Sequence, residues 1–427
     1  MESQYLYSKS AKGISETEVA FALARFLADY KPVKRRVLLL PPDGTRLHSG
    51  AGGITNKLYH LLSPDCVVDI LPALGTHAPM TGAECRDMFG DIPQERFFAH
   101  SWREDVVTLG VVPGEFTAGV SDGVYCEDIP VQVNRRLVGG DYDLILSVGQ
   151  VVPHEVVGMS NYSKNILVGC GGSGMINASH CLGAFYGLER MMGRDHSPVR
   201  AVFDYAEEHF LKALPLQYIL TVTTASGSDV SLQGLFLGGG REGFERAVAL
   251  SREKNLILTD EPLKKVVVRL DGQEYKSTWL GNKAIYRTRM AIADGGELVI
   301  LAPSVRCFGE DPAIDALIRK YGYRGREAVI RAVAENADLR ENLSAAAHLI
   351  HGSSDGRFSV AYAAPLLSRG EIEGAGFSFL DYGEACARYS TESLAEGFNI
   401  LPNGERIYYI SNPALGLWAA RSRFETQ

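Results

Sequence analysis

The chain has 427 residues, 46% hydrophobic and 22% charged, with a formal net charge of −8. That length allows two domains, the composition is that of a globular chain, and the acidic balance weighs against a broad nucleic-acid-binding surface. No apolar run approaches the roughly 20 residues that span a bilayer, and the polar start MESQYLYSKSAKGISE has no apolar signal core, so a cytoplasmic location is expected, with neither membrane nor nucleic acid as partner.

Glu16 to Tyr30 carries helical apolar spacing through Val19, Ala20, Ala22, Leu23, Phe26 and Leu27. Lys34-Arg-Arg then precedes Val37-Leu-Leu-Leu40, a short buried strand that ends in the turn Pro41-Pro-Asp-Gly-Thr-Arg46. In open α/β sheets ligands bind at that end of a strand. A helix is expected over Ile54–Leu62 and a strand over Val67–Leu71, which delivers the loop Gly75-Thr-His77. Thr81 and Glu84 have the spacing of a capping box. Asp143–Val148 reads as another buried strand leading straight into Val151-Val-Pro-His154.

Cys181–Met192 reads as a helix, and Tyr218–Thr224 and Val230–Phe236 as strands. Near residue 260 the pattern restarts with the strand Lys264–Arg269. A helix over Asn282–Ala293, then Gly295-Gly296 and the strand Leu298–Ala302 follow as a second β/α unit, then helices at Arg326–Glu335 and Ser344–Leu349. Chemically rich loops that repeatedly follow strands favour an α/β fold. The expected organisation is two β/α domains, 1–258 and 259–427, with the active site in the cleft between them and a C-terminal tail able to pack back on the first domain.

The stretch VVPHEVVGMSNYSKNILVGCGGSGMINASH places His154, Lys164 and His180 within 27 residues. An imidazole can carry protons near neutral pH or bind nickel, zinc or copper. A desolvated lysine amine is a nucleophile that can hold a group covalently. The glycines at Gly169, Gly171, Gly172 and Gly174 would let main-chain amides come close to a ligand. Each of these residues also has an ordinary structural reading: a satisfied core histidine, a solvated lysine, a flexible loop. The seven cysteines (66, 85, 126, 170, 181, 307 and 386) contain no CxxC pair, so neither a disulfide framework nor a structural zinc site is expected. Cys170 and Cys181 read as packing residues. His48, His60, His196, His209, His348 and His351 sit in no such pattern and are assigned to structure or surface.

Several motifs in the N-terminal half occur in an order that resembles the nickel-dependent lactate racemase family. They are Asp43-Gly-Thr45-Arg46, Leu74-Gly-Thr-His77-Ala-Pro-Met-Thr81, His100-Ser-Trp102, and His154, Lys164 and His180 at spacings of ten and sixteen. The resemblance implies a nickel-pincer nucleotide, a pyridinium-3,5-bisthiocarboxylic acid mononucleotide that clamps nickel through a ring carbon and two sulfurs. Lys164 would hold it through a thioamide, His180 would ligate the nickel, and Asp43, Thr45, Arg46 and His77 would line the cofactor. His100 and His154 would be the acid/base pair, with Arg46, Lys283 and Trp279 on substrate. The implied reaction is inversion of C2 of a 2-hydroxy acid by reversible hydride transfer, through a 2-keto acid. Enzymes that synthesise the cofactor are the implied maturation partners.

The sequence departs from the family at two places. Where the family has an aromatic-Gln-x-x-Lys pattern, this chain reads Trp279-Leu280-Gly-Asn-Lys283, and Ser163 replaces the arginine beside the reactive lysine. Losing a buried polar recognition group reshapes preference, so a substrate larger than lactate, such as a sugar acid of the gluconate type, is an equal expectation. Two other readings compete: a zinc-type hydrolase using His100, His154 and His180 with Glu155 as base, and a cofactor-binding protein without turnover.

Overall fold

The computed structural model describes residues 2–28, 30, 35–226 and 229–425, so Lys34 and one position of the Glu16–Tyr30 stretch, residue 29, lie outside the described residues. The chain divides into two compact units: Met1–Leu182 with Met191–Asn255, and Gly183–Arg190 with Leu256–Gln427.

The first unit is built on six strands: β1 (Gln4–Tyr7), β2 (Arg35–Leu40), β3 (Cys66–Ile70), β4 (Leu144–Gln150), β5 (Leu216–Ser226) and β6 (Asp229–Gly238). Their order is β1-β6-β5-β4-β2-β3. The run β5-β4-β2-β3 is parallel, with Leu38 paired to both Asp69 and Ile145, while β6 and β1 add on antiparallel. Aliphatic runs without alternation suit parallel strands covered on both faces; Val37 to Leu40 and Leu144 to Val148 are all buried. At roughly 1.5–3 kcal/mol for each such side chain buried, these two strands carry much of the core's driving force.

Helix α1 (Glu16–Leu27) starts at a Ser15/Glu18 capping box. It shares one core with α2 (Ala51–Leu62) and α3 (Gly82–Phe89), in which Leu23, Phe26, Ile54, Leu58 and Phe89 pack with Val37, Leu39 and Leu146. The box expected at Thr81 and Glu84 is formed at the start of α3. The helix expected at Cys181–Met192 begins earlier, as α4 (Ser173–Tyr186), with a separate turn at Leu188–Met191. Further along the unit lie α5 (Pro198–Ala206) and α6 (Arg241–Asn255).

The second unit holds β7 (Leu263–Arg269), β8 (Ile292–Leu301), β9 (Ser359–Ala363), β10 (Ser378–Phe379), β11 (Gly397–Ile400) and β12 (Arg406–Ile410), in the order β10-β9-β8-β7-β12-β11. Only β11 against β12 is antiparallel. Leu417–Ala420 pairs in parallel with Leu256–Thr259. The single helix expected over Asn282–Ala293 is instead α7 (Thr278–Gly281) followed by α8 (Lys283–Thr288). Strand pairing ends it: Met290 bridges Ala419 and Ile292 pairs with Leu263, so tertiary contacts override local helix preference. Gly295 and Gly296 lie inside β8, which starts earlier than the expected Leu298. Helix Arg326–Glu335 matches the expected range, and the next forms over Leu343–His351.

The second unit also contains a buried ion network. Arg289, 3% exposed, donates to Glu189 at 2.8 Å and Asp355 at 2.6 Å, and Arg357 reaches the same Glu189 and Asp294. Among the described residues no helix is long and apolar enough to cross a membrane.

Candidate active site

The motif residues of the first unit lie on segments that leave the C-terminal ends of its parallel strands. After β2, Asp43 is buried and caps the turn Gly44–Ser49: its Oδ1 accepts from the Thr45 amide at 3.1 Å and from Thr45 Oγ1 at 2.5 Å. Its Oδ2 lies 2.5 Å from His77 Nδ1, which joins the loop after β2 to the loop after β3. Burial pushes the Asp43 carboxyl up, but His77, Thr45 and the Arg46 charge outweigh burial and hold it below the usual carboxylate range. Arg46 and Thr45 are exposed. Gly75 donates to the Gly169 carbonyl at 2.8 Å, tying this loop to the turn after Lys164.

His154 and Lys164 come from one excursion after β4. Pro153-His154 pairs with Gly158-Met159 in a two-residue hairpin, and Ser160 fastens the return, its Oγ donating to the Gln150 carbonyl at 2.7 Å. His154 is buried; its Nδ1 accepts the Val156 amide at 3.1 Å, with Glu155 Oε2 3.8 Å away. That bond places the proton of the neutral ring on Nε2. The chain then turns through Asn161 (φ 63°) and Tyr162 (φ 57°), two consecutive non-glycine residues in the left-handed region. Such backbone is costly and persists only where its surroundings hold it, typically at functional sites.

Lys164 follows this turn and leads into a π-helical turn, Asn165–Gly169, closed by the Cys170 amide on the Asn165 carbonyl at 3.0 Å. π turns recur at functional sites. Asn165 anchors it, donating to the Leu40 carbonyl at 3.0 Å and Ser147 Oγ at 2.9 Å. The Lys164 side chain keeps a partial opening to solvent, yet it is packed densely enough that burial, aided by the charges of Arg46 and Arg200, pushes its amine down to about 8. Glu155 and Asp43 act in the opposite direction. At neutral to mildly basic pH a useful fraction of this amine is therefore a free nucleophile.

His180 lies on α4, with its Nδ1 2.6 Å from the Ile176 carbonyl four residues back. A carbonyl can only accept, so Nδ1 carries the proton and the Nε2 lone pair could face a metal, as when a ligating histidine gives its other ring N–H to a backbone carbonyl. Burial pushes this imidazole below its ordinary value, and the nearby Lys164 charge adds to that shift, so it stays neutral as a ligand must.

His100 is 3% exposed and doubly engaged: Nε2 donates to the Gly171 carbonyl at 2.9 Å and Nδ1 accepts from Asn134 Nδ2 at 3.0 Å. Burial pushes its pKa down. Nothing in the sequence pattern marked Asn134 as its partner. The glycines of 169–174 are packing devices rather than an open ligand cradle. A Cβ on Gly171 would collide with the Leu167 carbonyl, on Gly172 with Gln132, and on Gly174 with Pro130. Cys170 and Cys181 are buried, with thiols pushed up to about 12 by burial, as suits packing residues.

The structure thus brings Asp43, Thr45 and His77 into direct contact, and sets Arg46, Asp43 and Glu155 where their charges act on Lys164, and Lys164 where it acts on His180. His100, His154 and His180 do not gather as a ligand triad. Among the described residues, the cluster with metal-ligand spacing is Asp195, His196 and Glu245, two of them exposed. Trp279 and Lys283 belong to the second unit. Trp279 stacks on His348 at 4.2 Å, and Lys283 Nζ lies 3.4 Å from Glu274 and 5.5 Å from the centre of the Tyr275 ring.

The first unit is thus a parallel α/β unit carrying a desolvated lysine whose charge acts on a neutral histidine. Residues 24–191, less than half of the chain, match the lactate racemase N-terminal domain. No curated protein matches it by sequence. Among solved structures, it is similar to a protein from Thermotoga maritima at 24% identity and a TM-score of 0.82, over 97% of this chain and 100% of that one. It is also similar to the lactate racemase apoprotein from Thermoanaerobacterium thermosaccharolyticum at 16% identity and a TM-score of 0.70, over 95% and 93%. At these identities the two likenesses show the α/β fold.

Proposed function

We propose that this protein is a racemase or epimerase of a 2-hydroxy acid that works with a nickel-pincer nucleotide held on Lys164. The observation that carries this reading is the Lys164–His180 arrangement: an amine pushed down to about 8 beside an imidazole whose Nδ1–H is tied to a carbonyl. The donor set fits the group. Lys164 would hold it covalently, His180 Nε2 would ligate nickel, and Asp43, Thr45, Arg46 and His77 would face the nucleotide. When bound, the cofactor supplies an acceptor for the substrate's C2 hydride.

The protein's own part is proton handling and binding. Inverting a secondary alcohol through a 2-keto acid requires the hydroxyl proton to leave and return. His154 is the proposed carrier, because its Nδ1 is fixed by the Val156 amide and its orientation is set by the hairpin. His100 is the second proposed carrier, and it must release either Gly171 or Asn134 before it can exchange a proton. Arg46, exposed beside Lys164, would pair with the substrate carboxylate. Trp279 and Lys283 are further proposed substrate contacts. Leu280, standing where the family pattern has Gln, favours a substrate other than lactate, with a polyhydroxy acid as the first class to try.

The test is co-expression with cofactor-synthesis enzymes, the proposed maturation partners, followed by intact-mass and chiral analysis. The expected result is a mass increase that maps to Lys164 and inversion of at least one substrate in a panel of aliphatic, aromatic, dicarboxylic and polyhydroxy 2-hydroxy acids. A fully loaded protein whose activity survives Lys164→Ala would contradict the proposal.

A further inference from the structure

Arg200, near the start of α5, is fully buried at 0% exposure. Burying a guanidinium is costly unless its donors are met. Here they are met mostly by neutral acceptors of one short segment. Nη1 donates to Ser163 Oγ at 2.9 Å, and Nη2 donates to the Met159 carbonyl at 2.8 Å and the Asn161 carbonyl at 3.3 Å. Among the described residues Nε has no hydrogen-bond partner, and the guanidinium lies 4.5 Å from the centre of the Phe244 ring. The carboxylates of Asp204 and Glu207 act on its charge, but Asp204 is hydrogen-bonded by Arg241, and Glu207 by Tyr218 at 2.9 Å.

The segment it grips, Met159–Ser163, ends one residue before Lys164 and contains the two left-handed residues. Each non-glycine residue in that conformation is strained, and locally the turn is offset by the Tyr162 amide donating to Asn161 Oδ1 at 2.8 Å. Tyr162 is further held by stacking on Phe244 at 5.0 Å. Arg200 therefore supplies three hydrogen bonds to a strained turn whose exit direction sets where the Lys164 amine lies.

We propose that Arg200 is a positioning residue that locks the Met159–Ser163 turn and thereby makes Lys164 the reactive amine of this chain. The inference deepens the functional reading, since it assigns a device that prepares the same attachment lysine. Its test, however, needs no cofactor.

The experiment is competitive acetylation of the apoprotein by acetic anhydride, in which the free amine attacks, acetate leaves, and each lysine is quantified by peptide mass spectrometry. Exposed Lys12, Lys212 and Lys264 are internal references. In the parent chain, labelling at Lys164 should follow a pH profile inflecting near 8. Arg200→Met should relax the turn and let the amine hydrate, and it also removes a charge that itself lowers this amine, together moving the inflection up by at least one unit. Arg200→Lys, which keeps the charge but cannot make all three hydrogen bonds, should move it in the same direction; an unmoved profile there leaves only the charge effect and overturns the positioning role. A one-unit rise lowers the neutral fraction at pH 8 about fivefold, so Lys164 labelling should fall at least fivefold while the references stay level. An unchanged Lys164 profile in folded Arg200→Met overturns the proposal, because a merely structural arginine leaves amine reactivity alone.

If Arg200→Met fails to fold, Ser163→Ala removes one acceptor without burying a new charge. A fall of twofold or more at Lys164 then supports the proposal, and no change overturns it. Normal labelling with failed cofactor loading would sink the functional reading alone; unchanged labelling in the variants would sink this inference alone.

Discussion

Replacing Lys164 with Met should stabilise the apoprotein, and by an amount that depends on pH. A lysine amine moved from its ordinary 10.5 to about 8 implies that the fold disfavours the ammonium by about 3 kcal/mol, at about 1.36 kcal/mol per unit. The partial opening of the side chain to solvent lowers this to about 2–3 kcal/mol. The folded value lies below the unfolded one, so the cost is fully present below about pH 8, where the ammonium persists in both states. It fades as pH rises toward 10.5 and vanishes above, where the amine is neutral in both. Lys164→Met removes that cost and keeps the length of the chain. In a unit of about 250 residues, about 1 kcal/mol shifts Tm by about 2–4 °C, so the variant should melt about 5–10 °C higher at pH 7. Calorimetry of parent and variant at pH 7 and pH 10.5 measures the difference directly. A gap between them as large at pH 10.5 as at pH 7 would show that the amine is not held in a desolvating site, and the nucleophile argument would fall with it.

His180→Ala should abolish bound nickel in cofactor-loaded protein, measured by elemental analysis, while leaving the mass adduct on Lys164; loss of both would show that the histidine is needed for loading. Asp43→Asn removes the charge that joins Thr45 and His77, and should cut the loaded fraction at least tenfold with a Tm change of a few degrees, read by intact mass and calorimetry. Arg289→Met removes the buried cation between Glu189 and Asp355, leaving Glu189 to Arg357 and Asp355 to the Arg326 amide, and should cost about 1–3 kcal/mol in the second unit, seen as a lower melting transition with Lys164 labelling unchanged. Gly149→Val places a side chain where Asn161 Nδ2 now sits; it should displace the Asn161-Tyr162 turn and lower Lys164 acetylation at pH 8 with exposed lysines unaffected.

The parts of this protein that were legible in the sequence are those where local chemistry and the fold agree. Unbroken aliphatic runs such as Val37–Leu40 and Leu144–Val148 read as covered parallel strands because both faces are dry. The Thr81/Glu84 box follows from backbone donors that any helix start must satisfy. Asp43, His77, His154 and Lys164 sit in loops after strands, so their neighbourhood could be expected from the architecture.

What was hidden depended on distant chain segments. Asn134 reaches His100 across 34 residues and Arg200 reaches Ser163 across 37, and neither partner leaves a periodic trace. The glycines at 171–174 looked like ligand-wrapping backbone, but close packing against Leu167, Gln132 and Pro130 requires them. The break between Thr288 and Ile292 was set by strands elsewhere, which local helix propensity cannot register.

The π turn at Asn165–Gly169 has a consequence for how this segment can change. It contains one residue more than α-helical winding would, and each helical residue advances the chain by about 100°. Deleting a single residue there would pull the winding back into ordinary phase. Because Asn165 is moored to Leu40 and Ser147 and Gly169 to Gly75, the mismatch would be taken up by breaking one mooring or by swinging the amine out of its socket. Single-residue indels within these five positions should therefore displace the Lys164 amine, even though every residue type in the turn is an ordinary aliphatic, glycine or amide.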